Sequence, residues 1–261
     1  MQIDLRPRTL GENLGLTFQL ALRHFVPLVL LFGLMSLPSL VVQILAEDAE
    51  PDMAQVFTTL GFVLVTLLAT PVATGAAVAT VASSFTGDQI TLGNAIGVGL
   101  RNFLPLVGYS LVTSILITLG LAALVVPGLW LITRWYVGTP ALVLERLGIG
   151  EAMGRSVQLS QNRLGEVFGF VLILGLITLV VPSIAMAIAA LLMVGEQFGT
   201  TDAPMPLPFT IANWVLGVAF GVISAVAPVV QYFSLRCEKD GLDVEQLANL
   251  VDEIGAAPPA R

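Results

Sequence analysis

Three sets of residues in this 261-residue chain have types and spacings that could do chemistry. The first is Arg134, a lone cation inside the apolar run Leu129–Leu144 and flanked by Trp130 and Trp135. A guanidinium in such surroundings can fork onto a phosphate or carboxylate, so an anionic lipid or solute is its natural ligand. A plainer reading has Arg134 snorkel past the two tryptophans, or pair with Glu196 or the acidic loop Glu47–Asp52. The second set is the dense polar cluster Glu145, Arg146, Glu151, Arg155, Ser156, Arg163 and Glu166. Carboxylates beside arginines are raw material for proton transfer, and Glu151 and Arg155, four apart on a helix, suit an ion pair. No histidine, nucleophile pattern or phosphate loop accompanies them, so helix-end electrostatics and lipid headgroup contact account for the cluster. The third set is Pro71, Pro140 and Pro228, each of which removes a helix hydrogen bond and frees the carbonyl of Leu67, Tyr136 or Ser224. Three such kinks around a common axis would line a path, as broken helices do in transporters; as packing devices, they leave the carbonyls to neighbouring helices. His24 and Cys237 are the single histidine and single cysteine, so no metal site and no cofactor are expected.

The elements that must position these residues follow from composition. The chain is 56% apolar and 11% charged, with a mean hydropathy of +0.91. An ordinary soluble domain carries about 25% charged residues, so this chain lacks the polar groups to cover itself in water. Lipid hydrocarbon about 30 Å thick, crossed by helices of about 20 residues, is the solvent that suits it. The run that begins at Phe25 is too long for the apolar core of a secretory signal, and Glu12 and Arg23 interrupt its approach.

Six stretches suffice or nearly suffice as spans: roughly Phe25–Ala46, Phe57–Phe85, Phe103–Val126, Leu129–Leu144, Val167–Val194 and Phe209–Leu235. The fourth is the shortest, and Pro127-Gly128 before it predicts a tight turn. Arg134 lies seven residues past Pro127, about 10 Å along a helix, where a charge costs about 2.5–3.5 kcal/mol on insertion scales. Ten of the eleven basic residues fall in the segments before span one, between spans two and three, between four and five, and after six. The intervening loops hold Glu47, Asp48, Glu50, Asp52, Glu196 and Asp202 instead. The asymmetry of Lys and Arg predicts both termini on the cytoplasmic side.

A threefold internal repeat is also predicted. Thr9-Leu10-Gly11-Glu12 precedes Arg23-His24-Phe25-Val26-Pro27-Leu28-Val29, and Thr91-Leu92-Gly93-Asn94 precedes Arg101-Asn102-Phe103-Leu104-Pro105-Leu106-Val107. A weaker third copy runs from Ile149-Gly150-Glu151 to Asn162-Arg163-Leu164. Each unit is a short amphipathic helix, a span, a turn and a return span, over residues 1–90, 91–148 and 149–241. The apolar stripes of the short helices are Leu10, Leu14, Phe18 and Ala21; Leu92, Ile96 and Leu100; and Met153 and Val157. They are expected to lie in the headgroup layer. Gly75, Ala76, Ala77 and Ala79 read as a close helix contact, and Asn213 as an interhelical hydrogen bond. Leu247, Leu250, Val251 and Ile254 mark one face of a last short helix in a tail of residues 242–261.

Val126-Pro127-Gly128-Leu129-Trp130, Arg134-Trp135, Pro140, Glu145, Ala152 and Arg155-Ser156 form a recurring pattern with two further segments. These are Tyr232-Phe233-Ser234-Leu235-Arg236 with Gly241-Leu242-Asp243, and the opening Leu5–Glu12. Together they resemble a group of poorly characterised prokaryotic six-span membrane proteins. That group includes the membrane domain fused to some glycerophosphoryl diester phosphodiesterases. The resemblance implies an all-α membrane bundle in a prokaryotic cytoplasmic membrane, with a basic residue at the position of Arg134. The phosphodiesterase chemistry resides in a separate soluble domain and is not carried over.

The expected function is therefore a non-enzymatic membrane module that organises the envelope or binds a partner. The alternative is a transporter, channel or lipid-handling protein that uses the kinked even-numbered helices and Arg134. Membrane lipids, with an unidentified protein or a second copy of the chain, are the expected partners; nucleic acid is not.

Overall fold

The structure is a computed structural model that describes residues 6–46, 53–86, 90–197, 207–241 and 246. Every regular element among them is helical. The order is α1 (Leu10–Arg23), α2 (Phe25–Ala46), α3 (Met53–Thr86), α4 (Leu92–Arg101), α5 (Phe103–Ala123), α6 (Val125–Trp135), α7 (Gly138–Leu144), α8 (Ile149–Ser160), α9 (Leu164–Gln197) and α10 (Leu207–Asp240). Five of these, α2, α3, α5, α9 and α10, are long and apolar enough to cross a membrane. The proposed tail helix lies outside the described residues.

Proline spacing explains where helices stop. Pro27, Pro105, Pro127 and Pro140 each occupy the third position of a helix, where a missing N–H has no intrahelical acceptor to lose. Each denies a donor to the carbonyl four residues earlier, and the chain breaks between: at His24, Asn102, Leu124 and Tyr136-Val137. Two earlier expectations change on this ground. Leu129–Leu144 is not one helix but parts of α6 and α7, interrupted ahead of Pro140. Pro127-Gly128 is not the turn either: the reversal falls at the extended residue Leu124 (φ −164°, ψ 146°). Gly128 instead lets the two arms of that hairpin meet, since a Cβ on Gly120 would lie 3.1 Å from the Gly128 Cα.

The buried core gathers at one end of the bundle, hereafter the base. It comprises the second half of α3 (Val72 to Phe85), the second half of α10 (Val222 to Leu235) and α7, with one face each of α1, α4 and α8. The opposite half exposes large apolar side chains, such as Leu60 and Val63 of α3, Leu119 of α5 and Leu179 of α9. The inward faces of the short helices are made mostly of small and polar residues. They are Asn13, Thr17, Leu20 and Ala21 in α1, Ala95, Val98 and Gly99 in α4, and Ala152, Ser156, Leu159 and Ser160 in α8. Leu92 and Leu100, expected on the stripe of α4, are exposed. The stripe of α1 does pack: Leu10 and Leu14 lie against Phe170 and Leu174 of α9 and Ala227 of α10.

The tightest contact is between α3 and α4. A Cβ on Gly75 would lie 2.8 Å from the Gly99 Cα, and one on Gly99 would lie 2.3 Å from the Val72 carbonyl oxygen. Small residues here let two backbones meet, as the Gly75–Ala79 run predicts. At the neighbouring corner, His24 Nε2 and Ser84 Oγ share a 2.6 Å hydrogen bond that ties the α1–α2 junction to the end of α3.

Gly99→Ala is expected to lower stability by about 3 kcal/mol or more, because backbone rather than a flexible side chain must yield. Gly15→Ala, where an added Cβ meets nothing within 4 Å, is expected to raise it by about 0.5–1 kcal/mol through helix propensity. Thermal unfolding in detergent checks both. Partial burial, then Arg23 nearby, pushes the His24 imidazole below its ordinary value. The folded state then binds fewer protons than the unfolded one. Stability contributed here is complete above about pH 6.5 and declines as pH falls through the lowered folded value. His24→Gln should flatten that acid limb of the melting-temperature profile.

Candidate functional site

Helix ends bring the charged residues of the base together. Glu145 closes α7, Arg155 lies on α8, and Arg236 and Asp240 lie one turn apart at the end of α10. The Arg155 Nε donates to both Glu145 oxygens at 3.0 and 3.1 Å, and its Nη2 donates to Asp240. Arg236 closes the ring, 3.5 Å from Asp240 and 3.8 Å from Glu145. Its Nη1 donates to the Tyr232 oxygen at 2.7 Å, and the Tyr232 hydroxyl donates to Glu145 at 2.7 Å. The four charged side chains retain only 15–31% exposure, so water screens them less than at an open surface. Burial works against the Arg155 charge, but its bonds to Asp240 and Glu145 outweigh that and hold its pKa above the usual guanidinium value.

Two cluster residues, Glu151 and Ser156, are placed differently from expectation. Glu151 does not pair with Arg155: it turns back to accept the Gly148 N–H at 2.9 Å and caps α8. Ser156 is not at the surface: it is buried and donates to the Arg134 carbonyl at 2.7 Å. Arg146 is exposed and adopts φ 52°, the left-handed conformation at the end of α7. The Leu147 N–H bonds back to the Leu142 carbonyl at 3.2 Å across it, as in a Schellman closure. Around the ring, Arg163 contacts Glu166 at 2.7 Å and Glu238 at 2.5 Å, and Lys239 donates to the Gln158 carbonyl.

The break between α6 and α7 is closed by side chains. The Tyr109 hydroxyl of α5 donates to the Trp135 carbonyl at 2.7 Å, beside the Ser156 bond to Arg134. Gly138 makes room for it, since a Cβ there would fall 1.9 Å from the Tyr109 oxygen. The Arg134 guanidinium stacks over Trp130, 4.5 Å from the ring centroid. It makes no ion pair among the described residues, and its buried Nε has no acceptor. Trp135 contributes its carbonyl to the break, and the stacking partner is Trp130 alone. The loop Glu47–Asp52 and the side chain of Glu196 lie outside the described residues.

Pro71 and Pro228 lie within continuous helices, α3 and α10, whereas Pro140 starts α7. Pro71 lines a cleft of about 580 Å³ between α2, α3 and α5, Pro140 is buried in the base, and neither Pro228 nor Arg134 lines that cleft. A second cleft, of about 290 Å³, lies on the other side of α2, toward α10. Asn213 lines it, exposed and without an interhelical bond; the neighbouring Trp214 indole makes that bond instead, to the Ser36 carbonyl at 3.3 Å. Sequence reasoning missed Tyr109, Gly138, Tyr232 and Asp240. Tyr232 belonged to a quoted motif, but no spacing announces that residues 145 and 240 meet.

No protein-family model matches the chain, and no curated protein or solved structure is significantly similar to it.

Removing the Tyr109 hydroxyl (Tyr109→Phe) or that of Ser156 (Ser156→Ala) is expected to cost about 1–3 kcal/mol each, because each strands a buried carbonyl. A double-mutant cycle between Glu145→Gln and Asp240→Asn, read by unfolding in detergent, is expected to show coupling of about 1 kcal/mol through their shared Arg155. Independent effects would mean that the ring does not act as a unit.

Proposed function

We propose that the chain is a six-span module of a prokaryotic cytoplasmic membrane that carries out no chemistry of its own and works as an envelope or partner-binding platform. In this reading α6 and α7 together make the sixth crossing. Residues 125–144 amount to about 30 Å of helix, which α6 alone does not supply. Three units, near 1–90, 91–148 and 149–241, each open with a short helix, a break and a long helix. Arg8, near the first described residues, and Asp240, at the end of α10, both lie at the base, where the basic residues cluster. The resemblance to the membrane domains fused to glycerophosphoryl diester phosphodiesterases supports the same reading.

One observation carries the proposal. The densest polar groups, Glu145, Arg155, Arg236, Asp240 and Tyr232, bond and pair with one another across three helices, with only the buried Arg236 Nε, 3.5 Å from Asp240, lacking a hydrogen bond. A group held in charge-assisted bonds on every side is a clamp rather than a proton carrier. The clamp makes a rigid base on which a partner can act. A second reading, lipid handling, is favoured by Arg134, whose stacked guanidinium has no carboxylate to neutralise it among the described residues. Intramembrane cations of that kind serve anionic ligands.

Topology and partnership are testable together. In a Cys237→Ala background, Glu50→Cys and Gly199→Cys should be labelled by a membrane-impermeant maleimide from outside the cell. Labelling only after lysis would overturn the orientation. A photo-crosslinking residue introduced at the exposed position 146 should trap a defined protein partner or a second copy. Loss of anionic-lipid binding in Arg134→Gln, with no crosslink from position 146, would favour the lipid-handling reading.

A further inference from the structure

The cleft between α2, α3 and α5 belongs to neither the ionic base nor the surroundings of Arg134, and its lining is unusual for an apolar bundle. Six of its residues carry hydroxyls: Ser39 on α2, Thr59, Thr66 and Thr70 on α3, and Ser110 and Ser114 on α5. Among the described residues the rest of the lining is apolar, including Val63 and Leu67, and no charged side chain takes part. Thr66 and Thr70 are four apart, as are Ser110 and Ser114, and Thr59 lies seven before Thr66. Helical spacing of that kind stacks hydroxyls on one face, so two ladders of hydroxyls face one space.

Hydroxyls in apolar helices ordinarily bond to a carbonyl of their own preceding turn. Thr70 does so, donating to the Thr66 carbonyl at 2.8 Å, and Ser39 donates to the Ser36 carbonyl at 2.7 Å. Thr66 does not: its Oγ1 is buried and has no partner. A buried donor without an acceptor costs about 1–3 kcal/mol, which a ligand acceptor at this point would recover. Pro71, in the same wall, lacks the N–H that would otherwise engage the Leu67 carbonyl.

We propose that this cleft holds the acyl–ester segment of a membrane lipid, with ester oxygens accepting from Thr66 and the α5 serines, and the chain lying along Val63 and Leu67. The proposal rests on the membrane reading above. The absence of charge in the lining selects the neutral part of the lipid, not its headgroup. The volume, about 580 Å³, is that of a small-molecule site, for which about 300–1,000 Å³ is usual. A second helix, about 10 Å across, would fill it within roughly five residues, too few to seat a crossing.

The test is native mass spectrometry of detergent-washed protein given either dioleoyl phosphatidylglycerol or dioleoylglycerol. One adduct per chain is expected with each lipid, at occupancies within about twofold of one another. Thr66→Val, which keeps the shape and removes the donor, and Ser114→Phe, which fills the space, should each lower occupancy by at least fivefold. Leu104→Phe, at an exposed site away from the cleft, should not. Equal adducts in Thr66→Val and Ser114→Phe would overturn the proposal. So would binding confined to the phosphatidylglycerol and abolished by Arg134→Gln, or Ser114→Phe dispersing a dimer without loss of lipid. Protein that stays monodisperse without detergent would instead overturn the membrane reading itself.

Discussion

A carbonyl stranded in apolar surroundings costs several kcal/mol, and the architecture depends on how each interruption of its helices meets that constraint. The chain breaks where prolines withhold a donor, and named side chains from other helices move in. Tyr109 and Ser156 close the gap between α6 and α7, reaching it from α5 and α8. Lys239 reaches from α10 to the last turn of α8. Each bond spans two elements, so the repair of a local defect is also a tertiary tie. Gly138 shows how narrow the tolerance is, because a single methyl there would occupy the place of the Tyr109 oxygen.

Packing follows an inverted rule for the same reason. Where the surroundings are as apolar as leucine, moving leucine inward gains little, and close approach of backbones gains more. Gly75, Gly99 and the alanines of α3 therefore share the base with large buried side chains such as Phe85, Tyr232 and Leu142, while Leu92, Leu100 and Leu104 face outward. Most buried hydroxyls bond to a carbonyl of their own preceding turn, as Thr80 does to Ala76, and a few polar side chains bond across helices, as in Asn13 to Gln231 at 3.0 Å. The ionic ring around Arg155 extends this logic to charge, joining the ends of α7 and α10 to the middle of α8 at the base. A rigid base beside an open, hydroxyl-lined half is the arrangement from which both functional proposals arise.

The sequence by itself determined the class of structure. Too little charge, long apolar runs and the segregation of lysine and arginine specify helices suited to hydrocarbon, and all five long ones stand where hydropathy put them. The breaks were legible too, in the positions of Pro27, Pro105 and Pro140, although the fourth apolar run was read as continuous because composition does not register a missing donor. Only the tertiary structure decided which faces turn inward. A hydropathy pattern cannot separate a leucine that meets lipid from one that meets protein, so the stripes of α1 and α4 read alike although Leu10 and Leu14 pack on α9 while Leu92 and Leu100 stay exposed. Only the structure, likewise, decided the partners of charge. Glu151 was the neighbour of Arg155 by helical count, yet Glu145 and Asp240 hold it, because the chain returns through α10 to a point 85 residues away in sequence. Spacing along one helix is local, and a site assembled from three helices is not.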